Sequence, residues 1–212
     1  MNRRPLSGRD KALSKTLSWL LRHGAVKEGL PISVDGYVEV SEILNHKSLR
    51  NRYTIEDIQR VVDENDKKRF TLTSCTETGR LKIKANQGHS IQAVSDDSLT
   101  PITHPTEVSA VIHGTYFKFW DKIRTEGLSR MSRLHIHFAP GEPGDNQVIS
   151  GMRASCQIYI YINMEKALAD GIPFYRSVNN VILSPGNDQG YIEPKYFSQV
   201  IQVSPRKVLS LN

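Results

Sequence analysis

Thr54-Ile-Glu-Asp-Ile-Gln-Arg-Val-Val-Asp-Glu-Asn-Asp-Lys-Lys-Arg-Phe-Thr-Leu-Thr73 is the stretch whose reading decides the first half of the chain. Thr54 followed three residues later by Asp57 predicts a capped helix start, and Ile55, Ile58, Val61 and Val62 predict one apolar helix face behind it. The period then changes. Arg69 to Thr73 and Arg80 to Lys84 alternate in polarity, with polar residues and a glycine between them, which predicts a hairpin. Upstream, Leu13, Leu17, Leu20 and Leu21 recur at helical spacing, with Ser7 and Asp10 as a capping pair and Gly24 as the expected stop. Arg22 and His23 then fall in the last turn, where the helix dipole favours cations. Asp35-Gly36 predicts a turn, Tyr37 to Val40 a short strand, and Ser41 to Leu44 a brief helix. Three helices and a terminal hairpin make a winged-helix-like module. That shape commonly meets nucleic acid, and in other chains it only packs against protein.

Downstream the composition shifts. Residues 87–106 are rich in Ser, Asp, Thr, Pro and Gln, so a linker is expected there between lobes at 1–86 and 107–212. The second half reads as strand-rich. Val108 to Ile112 predicts a strand ending at His113-Gly114, and Phe117, Trp120 and Ile123 mark a short helix stopped by Gly127. Leu134 to Phe138 is a further strand. Gln157-Ile-Tyr-Ile-Tyr-Ile-Asn163 is almost wholly β-forming and is expected at a sheet centre. Met164 to Asp170 predicts a helix ended by Gly171, and Val181 to Leu183, Tyr191-Ile192 and Phe197 to Val203 add strands. The expected class is α+β.

The bulk properties bound the chemistry. A chain of 212 residues can bury a core without disulfide staples. Its net charge of +6 favours polyanions without requiring one. The two cysteines, Cys75 and Cys156, have no metal or disulfide-framework spacing, which points to a reducing compartment. No secretory h-region and no membrane-length apolar run is present, so an intracellular protein, cytoplasmic and/or nuclear, is expected. There is neither a P-loop nor a GxGxxG turn.

The candidate residues lie in short strings. His113-Gly114-Thr115, expected at a strand-to-helix turn, could bring backbone, hydroxyl and imidazole to a ribose or carboxamide; the bland alternative is an ordinary glycine turn. His135 and His137, two apart on a strand, with His113 could make a zinc site, but no carboxylate stands at ligand spacing and a polar ligand lining is the preferred reading. Arg153 follows Ser150-Gly151-Met152 ahead of the central strand. Its planar fork suits a phosphate, and the bland alternative is a salt bridge at the sheet edge. Lys67-Lys68-Arg69 is either a solvated basic face or a contact to RNA phosphate.

Taken in order, these strings resemble the RNA 2′-phosphotransferase family over nearly the whole chain, and its eukaryotic members most. The matching segments are Leu13 to Gly24, Val61 to Phe70, Ala85 to Ser90, His113 to Thr115, His135 to Phe138, Ile149 to Arg153 and Leu183 to Asn187. The resemblance implies an N-terminal winged-helix lobe joined to a C-terminal ADP-ribosyltransferase-like lobe. It implies NAD⁺ as co-substrate, no metal, and an RNA with an internal 2′-phosphate, such as spliced tRNA, as partner of a monomeric, non-membrane enzyme. The family's Arg-His-Arg-Arg tetrad falls on Arg22, His23, Arg69 and Arg153, with Lys67 supporting the second step. His113, Gly114, Thr115, His137, Ser150 and Gly151 would line the NAD⁺ site, and a third position of related transferases, apolar here, falls near Ile192. The implied reaction passes through RNA-2′-phospho-ADP-ribose to 2′-hydroxyl RNA, nicotinamide and ADP-ribose 1″,2″-cyclic phosphate. Because the tetrad is shared between the lobes, the phosphate site is expected in a cleft completed from both. The alternative is an ADP-ribosyltransferase that leaves its modification on nucleic-acid terminal phosphates.

Overall fold

The computed structural model describes residues 6–95, 98–145 and 148–211. The chain divides into two units, Met1–Ser98 and Leu99–Asn212, and each has its own apolar core.

In the first unit α1 spans Gly8–Trp19. Ser7 Oγ accepts the Asp10 N–H at 3.1 Å, so the predicted cap forms. Leu13, Leu17, Leu20 and Leu21 are all fully buried. Gly24 is not the stop. The helix passes instead into a π turn, Leu20–Gly24, closed by the Ala25 N–H on the Leu20 carbonyl at 2.8 Å. Ala25 is still helical, and the left-handed residue that ends the run is Gly29, at φ +70°. Gly24 serves packing: a Cβ there would lie 2.7 Å from Trp19 Cη2.

Strand β1 is Val38–Glu39 and α2 is Val40–Asn45, one residue ahead of the predicted start. Helix α3, Ile55–Glu64, carries both arms of the Thr54/Asp57 capping box. Ile58 and Val61 are buried, whereas Ile55 is exposed and stands off the predicted face. Strands β2, Phe70–Ser74, and β3, Leu81–Ala85, form the predicted hairpin in register Phe70↔Ala85 to Ser74↔Leu81. β1 adds to its other side, giving the antiparallel order β1-β3-β2. Of the stretch 87–106, Ile91 and Val94 belong to this unit's core, while Thr100–Ile102 is strand β4 of the second unit.

The second unit continues with β5 (Ile112–Thr115), α4 (Phe117–Glu126), β6 (Leu128–Ser129), β7 (Ile136–Phe138) and β8 (Ile158–Ile162). It ends with α5 (Met164–Ala169), β9 (Phe174–Arg176), β10 (Ile182–Ser184), β11 (Tyr191–Ile192), β12 (Phe197–Gln202) and β13 (Lys207–Val208). Two four-stranded sheets form, β4-β9-β10-β7 and β13-β12-β8-β5, with a small β11-β6 pair beside them. The unit is thus built of antiparallel sheets with short helices, within a mixed α+β chain. β8 is interior to its sheet, as its composition predicts. β5 begins four residues later than the predicted strand, because its ladder with β8 runs from Ile112↔Tyr161 to Thr115↔Ile158. His113 and Gly114 therefore lie within a strand and not in a turn after it. The edge strands of the two large sheets meet: Ile112 and Ala139 exchange backbone bonds of 3.0 and 2.8 Å. Among the described residues no helix is long and apolar enough to cross a membrane.

Candidate functional site

The first unit gathers one group of sequence-predicted residues. The π turn places Leu20, Leu21 and Gly24 inward, leaving Arg22 half-buried and His23 exposed. Ser90 pins this turn from another segment. Its N–H donates to the Arg22 carbonyl at 2.9 Å, and its Oγ is hydrogen-bonded to His23 Nδ1 at 2.9 Å. Ser90 therefore sets the ring that the sequence singled out, a role that no local pattern in Ala85 to Ser90 discloses.

Arg69 comes from the turn between α3 and β2. Lys68 there has φ +43°, a left-handed conformation that reverses the chain within a few residues. Asn65 organises this turn and is fully buried. Its Oδ1 accepts from Arg69 Nη1 and from the Lys67 N–H, each at 3.2 Å, and its Nδ2 donates to Ser14 Oγ on α1 at 3.3 Å. Asn86 closes the other side, donating to the Lys68 carbonyl at 2.7 Å. Arg22, His23, Lys67 and Arg69 consequently line a single groove of about 760 Å³. Residues up to 47 positions apart, by the numbers 22 and 69, meet there. Four donors of this kind on one wall suit an anion with several oxygens.

The second unit holds the remaining candidates at the seam between β5 and β7. His113 Nδ1 hydrogen-bonds the His137 carbonyl at 2.9 Å, which makes Nδ1 the donor. Burial pulls the His113 imidazole below its usual range, the His137 carbonyl opposes this, and the Arg133 charge lowers it further. His113 is thus neutral at pH 7. Arg133 is exposed as a residue, but desolvation of its guanidinium where it lies against the protein, and then the charge of Arg153, lower it from the usual arginine range. Two arginines that repel each other beside a neutral histidine form a local excess of positive charge. Arg133 was not singled out by sequence; its signal is its place two residues before His135.

The glycines explain how the Arg153 segment lies here. A Cβ on Gly114 would come 2.4 Å from Met152 Cγ and 2.6 Å from Cys156 Sγ. Gly151, at φ +104°, would carry a Cβ 2.8 Å from the Phe138 carbonyl oxygen. Both glycines let residues 151–156 press onto β5 and β7, so the space at Gly114 is taken by Met152. Arg153 itself is exposed in the turn closed by the Cys156 N–H on its carbonyl (3.1 Å), and it forms no ion pair among the described residues. Its place is five residues ahead of β8, outside the buried strand. Thr115 is buried and Ser150 half-buried. His135 is buried against the Tyr175 ring, and Ile192 is wholly in the core. Among the described residues no three His, Cys, Asp or Glu side chains gather as a metal site.

Comparison with known proteins adds the following. The family model described as RNA 2′-phosphotransferase, Tpt1 / KptA family, matches residues 8–186. A Danio rerio protein named tRNA 2′-phosphotransferase 1 is 49% identical over 202 residues, covering 93% of this chain and 88% of its own length. The Homo sapiens protein of the same name is 50% identical, covering 96% of this chain and 80% of its own. The Saccharomyces cerevisiae tRNA 2′-phosphotransferase is 44% identical, with coverage of 83% and 79%.

Proposed function

This chain belongs to the RNA 2′-phosphotransferase, Tpt1 / KptA family, and from that premise we propose that it is a transferase that removes an internal 2′-phosphate from RNA, spliced tRNA being the substrate, with NAD⁺ as co-substrate. The observation that carries the reading is the convergence of Arg22, His23, Lys67 and Arg69 on one groove. We read the three helices and hairpin of the first unit as a winged-helix lobe, and the seamed sheets of the second as an ADP-ribosyltransferase-like lobe.

The residues present fit the co-substrate. A neutral His113, fixed by the His137 carbonyl, offers its free ring nitrogen to a ribose hydroxyl, and the Arg133/Arg153 pair is relieved of its repulsion by an anion. NAD⁺ supplies the ribose carbon that accepts the phosphate and the nicotinamide that leaves. A 2′-phosphate oxygen would bond to that carbon as the carbon–nitrogen bond to nicotinamide broke. The neighbouring 2″-hydroxyl would then give up its proton as its oxygen bonded to phosphorus, the bond to the RNA 2′-oxygen would break, and that oxygen would take up a proton, so that none is gained or lost in this step. The phosphate is already anionic at neutral pH, so no base has to ionise it. It needs orientation and charge screening, which guanidinium forks provide. Arg22, Arg69 and Arg153 hold the phosphate oxygens in this scheme. Lys67 supports the charge that develops at phosphorus in the second step. His23, held by Ser90, organises the phosphate or gives the proton to the leaving RNA oxygen.

The test is to incubate the protein with NAD⁺ and an oligoribonucleotide bearing one internal 2′-phosphate. The expected products are a 2′-hydroxyl and ADP-ribose 1″,2″-cyclic phosphate, and Arg153→Ala should reduce the rate by at least about a hundredfold. A modification that stays attached to the RNA would instead identify an ADP-ribosyltransferase that stops after the first step. Full activity of Arg153→Ala would remove that arginine from the scheme.

A further inference from the structure

The groove continues beyond the residues used above. Lys11 and Lys15 stand four apart on α1, Ser18 and Trp19 follow Lys15 by three and four, and Arg22 follows Trp19 by three; all line the same groove, so they form one stripe on one helix face. Lys11 and Lys15 are exposed and form no ion pair among the described residues. Trp19 is 44% exposed, an unusual state for so large an apolar ring. Its ring is not loose, for it lies on Gly24, with Cη2 and Cζ3 both 2.7 Å from where a Cβ would stand. The molecule thus holds a rigid, open aromatic surface between a pair of lysines and the Arg22/His23 turn.

We propose that this stripe is the track for the RNA strand that carries the 2′-phosphate, with Trp19 stacking on a base beside the phosphorylated nucleotide and Lys11 and Lys15 meeting successive backbone phosphates. The proposal rests on the reading that the groove takes an RNA 2′-phosphate. Charge complementarity favours this occupant: among the described residues, Lys11, Lys15, Arg22, Lys67 and Arg69 face only Glu64 and Asp66 around the groove. The two lysines stand about 6 Å apart along the helix axis, four residues at the helical rise, a step that adjacent phosphates of an extended strand can follow. An aromatic platform among cations is the device by which single strands are held without base-specific hydrogen bonds. Because every base has a stacking face, the track would give affinity without sequence preference. An acidic peptide could satisfy the lysines but would have no use for the open indole.

The test uses the full chain and a short single-stranded oligoribonucleotide with one internal 2′-phosphate, its binding followed by anisotropy. Trp19→Ala should raise Kd about tenfold, Trp19→Phe should stay within about threefold of wild type, and the KM for NAD⁺ should not change. In Lys11→Ala/Lys15→Ala the slope of log affinity against log salt should fall by about 1.4, about 0.7 for each lost phosphate contact on a single strand. The intrinsic fluorescence quenched by the oligonucleotide should vanish in Trp19→Phe, since the other tryptophan, Trp120, is buried. Unchanged Kd in Trp19→Ala with an unchanged salt slope overturns the track, as does a wild-type protein that binds no oligonucleotide. Turnover separates this from the reaction itself. A wild type that binds and quenches but never removes the phosphate would overturn the reaction and leave the track. One that removes it while every variant binds normally would do the reverse.

Discussion

At the scale of single residues, the most informative is one that the sequence placed in a matching segment without giving it a role. Ser90 holds both the carbonyl of Arg22 and the ring of His23, so it is a positioning residue for a proposed phosphate ligand. Ser90→Ala removes the Oγ bond to His23 and a long one of 3.5 Å to the Arg22 carbonyl; the first is worth about 1 kcal/mol net, and kcat/KM should fall about five- to tenfold. The loss should fall on kcat with the KM for NAD⁺ unchanged, and Ser90→Thr should restore it. A kcat identical to wild type would show that His23 needs no such support. Asn65 illustrates the same limit of sequence reading. It looks like an ordinary helix-ending residue, yet it is buried and ties Arg69 and Lys67 to α1. Short strings nominated Arg22, His23, Arg69 and Arg153, but the groups that hold the first three in place could not be read there, because a hydrogen bond across many positions leaves no spacing to read.

At the scale of elements, capping and alternation proved readable and ladder boundaries did not. The Ser7 and Thr54 caps and the Phe70–Ala85 hairpin form where local chemistry predicts. Gly24 and the start of β5 differ from prediction because a packing neighbour decides, near in the chain in one case and remote in the other. Trp19 occupies the space over Gly24, and β8 sets where β5 begins pairing. Glycine can mean a stop, a positive φ or a close approach, and sequence does not separate these meanings. Gly151 combines two of them, so Gly151→Ala should be severe at the level of the loop. The φ of +104° alone costs about 1–3 kcal/mol for a residue with a side chain, and the Cβ would meet the Phe138 carbonyl. Loss of most activity is expected, with a lowered midpoint of unfolding. Wild-type turnover would mean that the Arg153 segment need not press on β7.

At the scale of the whole molecule, the residues of the proposed tetrad are divided between units: Arg22, His23 and Arg69 belong to Met1–Ser98 and Arg153 to Leu99–Asn212. Each unit has its own core, so separately expressed units are expected to yield folded protein that removes no 2′-phosphate; turnover by either alone would exclude the division of labour. By itself the sequence determined the mixed α+β class, the buried leucine face of α1, the hairpin and the short strings that carry the family resemblance, because caps, periodicity and β-propensity act over a few neighbouring residues. Only the tertiary structure decided that the π turn and the α3–β2 turn share a groove, that Trp19 stands open on Gly24, and that Arg133 joins Arg153 beside His113. The first and last join residues at least twenty positions apart, and even the five-residue Trp19/Gly24 contact depends on a π turn; all follow from packing and hydrogen bonds that spacing does not encode.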